Sequence, residues 1–147
     1  MQHTRSRIAL SIIDGFAGVS GLIGLVLVTF AGDYVFPAHW LIGTPFRSYV
    51  VPGLILGFVV GGSALLAMGA TIKRARVGPV LSLIAGAIMI GWIVGEYILI
   101  PEARFLPNAS PDWLQGLYFG VGVAMVTLAL RATPNGWHDL LPRHTSR

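Results

Sequence analysis

Residues 77–100 read VGPVLSLIAGAIMIGWIVGEYILI, 24 positions with a single charge, Glu96, placed four from the end. At about 1.5 Å of rise per residue, a helix of this length covers the roughly 30 Å of hydrocarbon in a bilayer. The run lacks the period-2 alternation of a barrel strand, and lipid offers no partner to an open backbone group, so it is read as a membrane-spanning helix. Pro79 falls in its first turn, where a missing N–H costs nothing, and Pro101 closes it.

Outward from this segment, three further windows meet the same requirement, at about 8–30, 49–72 and 113–130. The expected fold is an all-α integral membrane four-helix bundle, one domain over residues 1–147. Composition agrees: 54% of residues are hydrophobic and 11% charged, far from the balance of a soluble domain. Cysteine is absent, which excludes disulfides, thiolate metal sites and thiol redox chemistry together. Nine of the ten basic residues are Arg, a weak pointer to a GC-rich bacterial genome.

Charge orients the bundle. Arg5 and Arg7 precede the first span, Lys73, Arg74 and Arg76 fill the link between the second and third, and Arg131, Arg143 and Arg147 follow the fourth. Eight of the ten basic residues thus gather on one side, leaving Arg47 and Arg104 on the other, and the positive-inside rule puts both termini in the cytoplasm across an inner (plasma) membrane. The net charge of +4 therefore flanks apolar segments and does not form the solvated patch that binds nucleic acid. A cleavable signal peptide ending near Thr29-Phe30-Ala31 is disfavoured, because its apolar stretch exceeds the usual 7–15 residues or so of a signal core. The basic link makes the second and third spans an antiparallel hairpin. The long connections are 31–48 and 102–112, and Asp112 with Gln115 stands at capping-box spacing before the last helix.

Small residues recur at helical spacing: Gly15, Gly18, Gly21 and Gly24; Gly53, Gly57 and Gly61; Ala87, Gly91 and Gly95; Gly116, Gly120 and Ala124. Such ridges let helix backbones approach, so that dispersion replaces the hydrophobic drive that lipid cannot supply. Ridges in all four spans also leave room for a membrane-protein partner or a second copy. Phe36, Pro37 and Trp40 in one outer connection match Phe105, Pro107 and Trp113 in the other, which reads either as an aromatic belt or as a duplicated hairpin.

Two acids lie within the spans, where a charge is costly and ordinarily has a partner or a task. Asp14 shares a face with Ser11, Gly18 and Gly21, and Arg7, Thr127 or Arg131 could offset it. Glu96 shares a face with Ser82, Ala85, Met89 and Trp92, and Arg47 or Arg104 could pair with it. Counted from the span ends, the two acids stand about 14 Å apart in depth, too far to share a proton or flank one bond. His3, His39, His138 and His144 all fall outside the spans, so a bis-imidazole haem is unavailable, and no cofactor or metal is expected. Trp137-His138-Asp139 is read as a solvated tail stretch. Asn108-Ala109-Ser110 matches a glycosylation acceptor that Pro111 disfavours.

The segment Thr44-Pro45-Phe46-Arg47-Ser48-Tyr49-Val50-Val51-Pro52-Gly53-Leu54, together with Gly91-Trp92-Ile93-Val94-Gly95-Glu96 and Trp113-Leu114-Gln115, resembles a group of small four-span bacterial integral membrane proteins of unassigned function. The resemblance covers most of the chain from Gly15 onward. It implies the four-span fold and supplies no functional residues. The leading expectation is a non-enzymatic accessory or structural subunit that docks a partner through glycine ridges. The first alternative is a small carrier or lipid-binding protein with an outer-leaflet pocket formed by Arg47, Trp92, Glu96 and Tyr118. The second is an intramembrane lipid isomerase or cyclase, with Glu96 as general acid and Tyr97, Tyr118 or His39 as the second group.

Overall fold

The computed structural model describes residues 2–36, 38–99 and 112–133. They form four long helices, α1 (Gln2–Val35), α2 (Val50–Ile72), α3 (Gly78–Leu99) and α4 (Asp112–Ala132), each long and apolar enough to cross a membrane. There is no strand among the described residues. Arg104, the 102–111 connection with its glycosylation acceptor, the Asp112 side chain and the tail with Trp137-His138-Asp139 lie outside the described residues.

The observed ends agree with the expected spans to within two residues, except for α1. That helix runs on through Ala31 to Val35, and its 34 residues rise about 51 Å. The connection expected to begin at Ala31 therefore begins five residues later. Nothing in Ala31–Val35 breaks a helix, and Gly32 fits closely against Tyr49, where an added Cβ would lie 2.5 Å from the Tyr49 Cβ. The rest of that connection is folded: a 3₁₀ turn spans Ala38–Leu41, and Gly43 takes a φ of 85°, open only to glycine at low cost.

Neighbours around the bundle run α1, α2, α3, α4 and back to α1. The α1–α2 contact is a ladder of glycines. Gly53 meets Thr29, Gly57 meets Leu25, Gly61 meets Gly21, Gly18 meets Leu65 and Gly15 meets Met68. At its centre a Cβ on Gly21 would lie 2.6 Å from the Gly61 Cα, so the two backbones touch directly. Both predicted ridges are thus spent on each other.

Within α2, residues Ile55–Gly61 form a π stretch, in which the Gly62 N–H reaches back to the Gly57 carbonyl. Glycines spaced by four drift about 40° per step on an α-helix of 3.6 residues per turn. The wider π turn absorbs that drift, so Gly53, Gly57 and Gly61 all face α1.

The α3 and α4 ridges behave differently. A Cβ on Gly91, Gly95, Gly116 or Gly120 would meet nothing within 4 Å, so none of these four sits at a helix contact. The α3–α4 crossing instead uses Gly86 and Gly122, where a Cβ on Gly86 would lie 2.9 Å from the Gly122 carbonyl oxygen. Small residues fill the interior, with Ala17, Ala64, Ala67, Ala85 and Ala129 all buried beside Met89, Met125 and Leu10. Large side chains point outward, Phe58 and Leu66 among them. That inversion of a soluble core matches lipid surroundings, which welcome Leu and Phe while close packing selects Ala and Gly.

The α2–α3 link turns at a helix stop. Arg74 takes a left-handed φ of 53°, the Ala75 N–H bonds the Ala70 carbonyl at 2.9 Å and the Arg74 N–H bonds Thr71 at 3.1 Å. This is the Schellman pattern, in which glycine is the favoured occupant of the left-handed position. Arg74→Gly should therefore raise unfolding stability by about 1 kcal/mol, measured by denaturant titration in detergent. Arg7 donates to the Ala75 carbonyl at 3.2 Å, tying the start of α1 to the same turn.

Candidate functional site

At the end of the bundle away from the basic link, α3 packs on the later part of α2 but hardly on its first turns. The two helices part there, and a cavity of about 380 Å³ occupies the space, with walls from all four helices. Ala17, Val60 and Met89 of the core form its floor. Trp40, Leu41 and Phe46 of the connection between α1 and α2 form its roof.

That roof is held by local bonds. Thr44 donates to the Leu41 carbonyl at 2.8 Å and accepts from the Phe46 N–H at 3.2 Å. Trp40 and Tyr49 are 5% and 6% exposed and flank Phe36, with ring centroids 6.0 and 5.4 Å from it. The Trp40 indole nitrogen is buried without a hydrogen-bond partner among the described residues.

Glu96 reaches the cavity because of its place on α3. The buried stripe of this helix runs Ser82, Ala85, Met89 and Ile93 in steps of three and four, and Glu96 continues it by three. Trp92 stands one turn back on the same helix and lines the same cavity. Tyr118 reaches the same cavity from α4, backed by Phe16 of α1 at a ring distance of 6.2 Å.

Of the four residues expected to form a pocket, Trp92, Glu96 and Tyr118 line the cavity together, and Arg47 does not. Arg47 is exposed, directly after Phe46, which lines the cavity beyond the Thr44–Phe46 turn. Gln115, Trp40, Tyr49, Gly91 and Gly95 also line the cavity. The roof residues among them depend on a loop fold that spacing does not encode. Tyr97 and His39, the other candidate partners for acid–base work, are exposed and do not line it.

No family model, curated protein or solved structure matches this chain. Function is therefore read from the chemistry of the cavity itself. Among the described residues that line it, none is Lys, Arg or His, and Glu96 is the one acid. No group of three His, Cys, Asp or Glu residues is close enough to hold a metal among the described residues.

The second acid is a separate feature. Asp14 is fully buried, and its Oδ2 accepts from the Ser82 hydroxyl at 2.6 Å. Its expected partners are engaged elsewhere or exposed: Arg7 bonds Ala75, Thr127 bonds Val123, and Arg131 faces outward. Since Ser82 lies 14 residues before Glu96 on α3, the two acids stand about 21 Å apart along the helix axis. That exceeds the 14 Å or so counted from span ends, and it keeps the acids independent.

Proposed function

We propose that this chain is a multi-pass protein of a bacterial inner (plasma) membrane, with both termini cytoplasmic, that binds a small amphiphilic molecule in the cavity around Glu96, as a carrier or lipid-binding protein. The orientation follows from the gathering of Lys and Arg at the end that holds the α2–α3 link. It puts Glu96 in the outer leaflet, within reach of lipid-dissolved molecules. One observation carries the functional reading: the acid that lipid makes costly sits on the inward stripe of α3 and opens on a chamber of ligand size.

Gly95 supplies a test that spares the fold. It lines the cavity, and a Cβ added there would meet no atom within 4 Å. Protein purified in a mild non-ionic detergent should carry about one equivalent of a small amphiphile by mass spectrometry of an organic extract, and Gly95→Phe should lose it while melting normally. Identical extracts from both proteins would count against a ligand cavity. Glu96→Gln should likewise lower the bound amount without lowering the melting temperature, whereas a purely structural Glu96 would show the reverse.

A docking role keeps one supporting observation. Gly116 and Gly120 of α4 are exposed, unlike the glycines of α1 and α2 that pack on each other. If a partner or second copy seats there, Gly120→Leu should shift the mass of the particle in gentle detergent; an unchanged mass removes that support.

A further inference from the structure

We propose that the ligand of this cavity is a lipophilic monocation, an organic ammonium or phosphonium with an apolar body, whose charge sits against Glu96. The inference rests on the cavity reading above and adds the sign of the charge.

Electrostatics argue for it first. The described walls offer one carboxylate and no basic side chain. An anion placed there would face Glu96 with no counter-charge, a repulsion that low-dielectric walls strengthen. A neutral molecule would leave the carboxylate in the chamber with no charge to balance its own. A carboxylate has about four lone-pair sites, and Glu96 is the acid among the described residues that line the chamber.

The aromatic lining points the same way. Trp40, Tyr49, Trp92 and Tyr118 line the chamber from the roof, α3 and α4. Ring faces carry negative quadrupole density and attract a desolvated cation, whichever way its apolar body lies. The charge and the rings thus favour one sign of ligand.

Size and coordination exclude a metal ion. About 380 Å³ is far more than a bare cation fills, and hard cations take six or more oxygen ligands. The lining supplies one carboxylate, the Gln115 amide and phenols against mostly apolar wall. One carboxylate with apolar surroundings suits one positive charge on an apolar frame.

The test uses three probes of related shape and different charge, tetraphenylphosphonium, tetraphenylborate and triphenylphosphine oxide. Each is measured by equilibrium dialysis against the full chain in nanodiscs, with empty nanodiscs subtracted. The expected result is one phosphonium per chain, weakened about tenfold or more by Glu96→Gln, as for a charge-assisted contact, and lost in Gly95→Phe. The borate should show no site that Gly95→Phe removes. Arg47→Gln and Arg104→Gln should leave phosphonium binding unchanged; a large rise in either would show that a basic residue already closes on Glu96, and would overturn the proposal. Binding of the phosphine oxide as tight as the phosphonium, lost in Gly95→Phe but indifferent to Glu96→Gln, would overturn the charge preference while leaving the cavity reading intact. Binding of none of the three at a site removed by Gly95→Phe would sink both.

Discussion

Gly21→Val is expected to destabilise the bundle by about 3 kcal/mol, at the upper end of what overpacking costs in a close-packed core. The reason is the nature of what a new side chain would meet. A Cβ at Gly21 would lie 2.6 Å from the Gly61 Cα, 2.9 Å from the Gly61 nitrogen and 3.2 Å from the Leu56 carbonyl oxygen, and all three atoms are backbone. No rotamer change relieves such a clash. The α1 and α2 axes must separate, and the contacts at Gly53, Gly57 and Gly18 on either side then loosen together. Gly24→Ala should cost less, because its nearest neighbour is the Leu56 Cδ2, the end of a side chain that can turn away. Gly120→Val, where nothing lies within 4 Å, should change stability by no more than about 0.5 kcal/mol. Denaturant unfolding of the three variants in one detergent reads the differences. Equal losses at Gly21 and Gly120 would refute the register of the α1–α2 ladder.

The contrast between Gly21 and Gly120 also marks where the sequence becomes hard to read. The number of long apolar helices, and the bounds of α2, α3 and α4, were legible, because a span needs a minimum length and the Lys73–Arg76 cluster interrupts the apolar run. Which face of each span turns inward was not legible from polarity, since the helices are apolar all round. Residue size carries that information, small inside and large outside, and size is ambiguous wherever small residues occupy two faces. On α3, Ala87, Gly91 and Gly95 form one small face and Ala85 with Gly86 another. The choice fell to Gly86 because Gly122 on α4 lets the two backbones meet there. A single chain read alone cannot pair Gly86 with Gly122, because the pairing is a property of two helices at once.

The pocket divides along the same line. Glu96 and Trp92 were reachable together from helix geometry, because a step of four places them one turn apart on α3, and Tyr118 lines the same cavity from α4. Arg47, which does not line the cavity, follows a turn whose bonds, from Thr44 to Leu41 and Phe46, follow no helical period. Trp40, read from sequence as belt, is buried in the roof. The π stretch of α2 was equally invisible: Ile55–Gly61 has no residue that forces it, and it exists because a four-residue glycine spacing must stay in register with α1.

Ser82→Ala is expected to cost about 2–3 kcal/mol, more than Asp14→Ala, although both break the same hydrogen bond. The Asp14 carboxyl is completely buried, its Oδ1 has no partner among the described residues, and Ser82 serves its Oδ2. Removing the serine hydroxyl leaves that whole polar group unsatisfied in the interior. Removing Asp14 instead frees the Ser82 hydroxyl proton for the Gly78 carbonyl, which already lies 3.2 Å away. The double variant should therefore be more stable than Ser82→Ala alone, and the cycle of four proteins should give a coupling of about 1 kcal/mol or more. If Ser82→Ala and Asp14→Ala cost the same and simply add, the bond is not what orders α1 against α3. The same set separates structure from function: Asp14 lies about 21 Å from Glu96 along the bundle, so Asp14→Ala should leave the amphiphile content of purified protein unchanged while Glu96→Gln lowers it. A drop with Asp14→Ala would mean that the two acids act in one path through the bundle, with Ser82 and the α3 stripe between them.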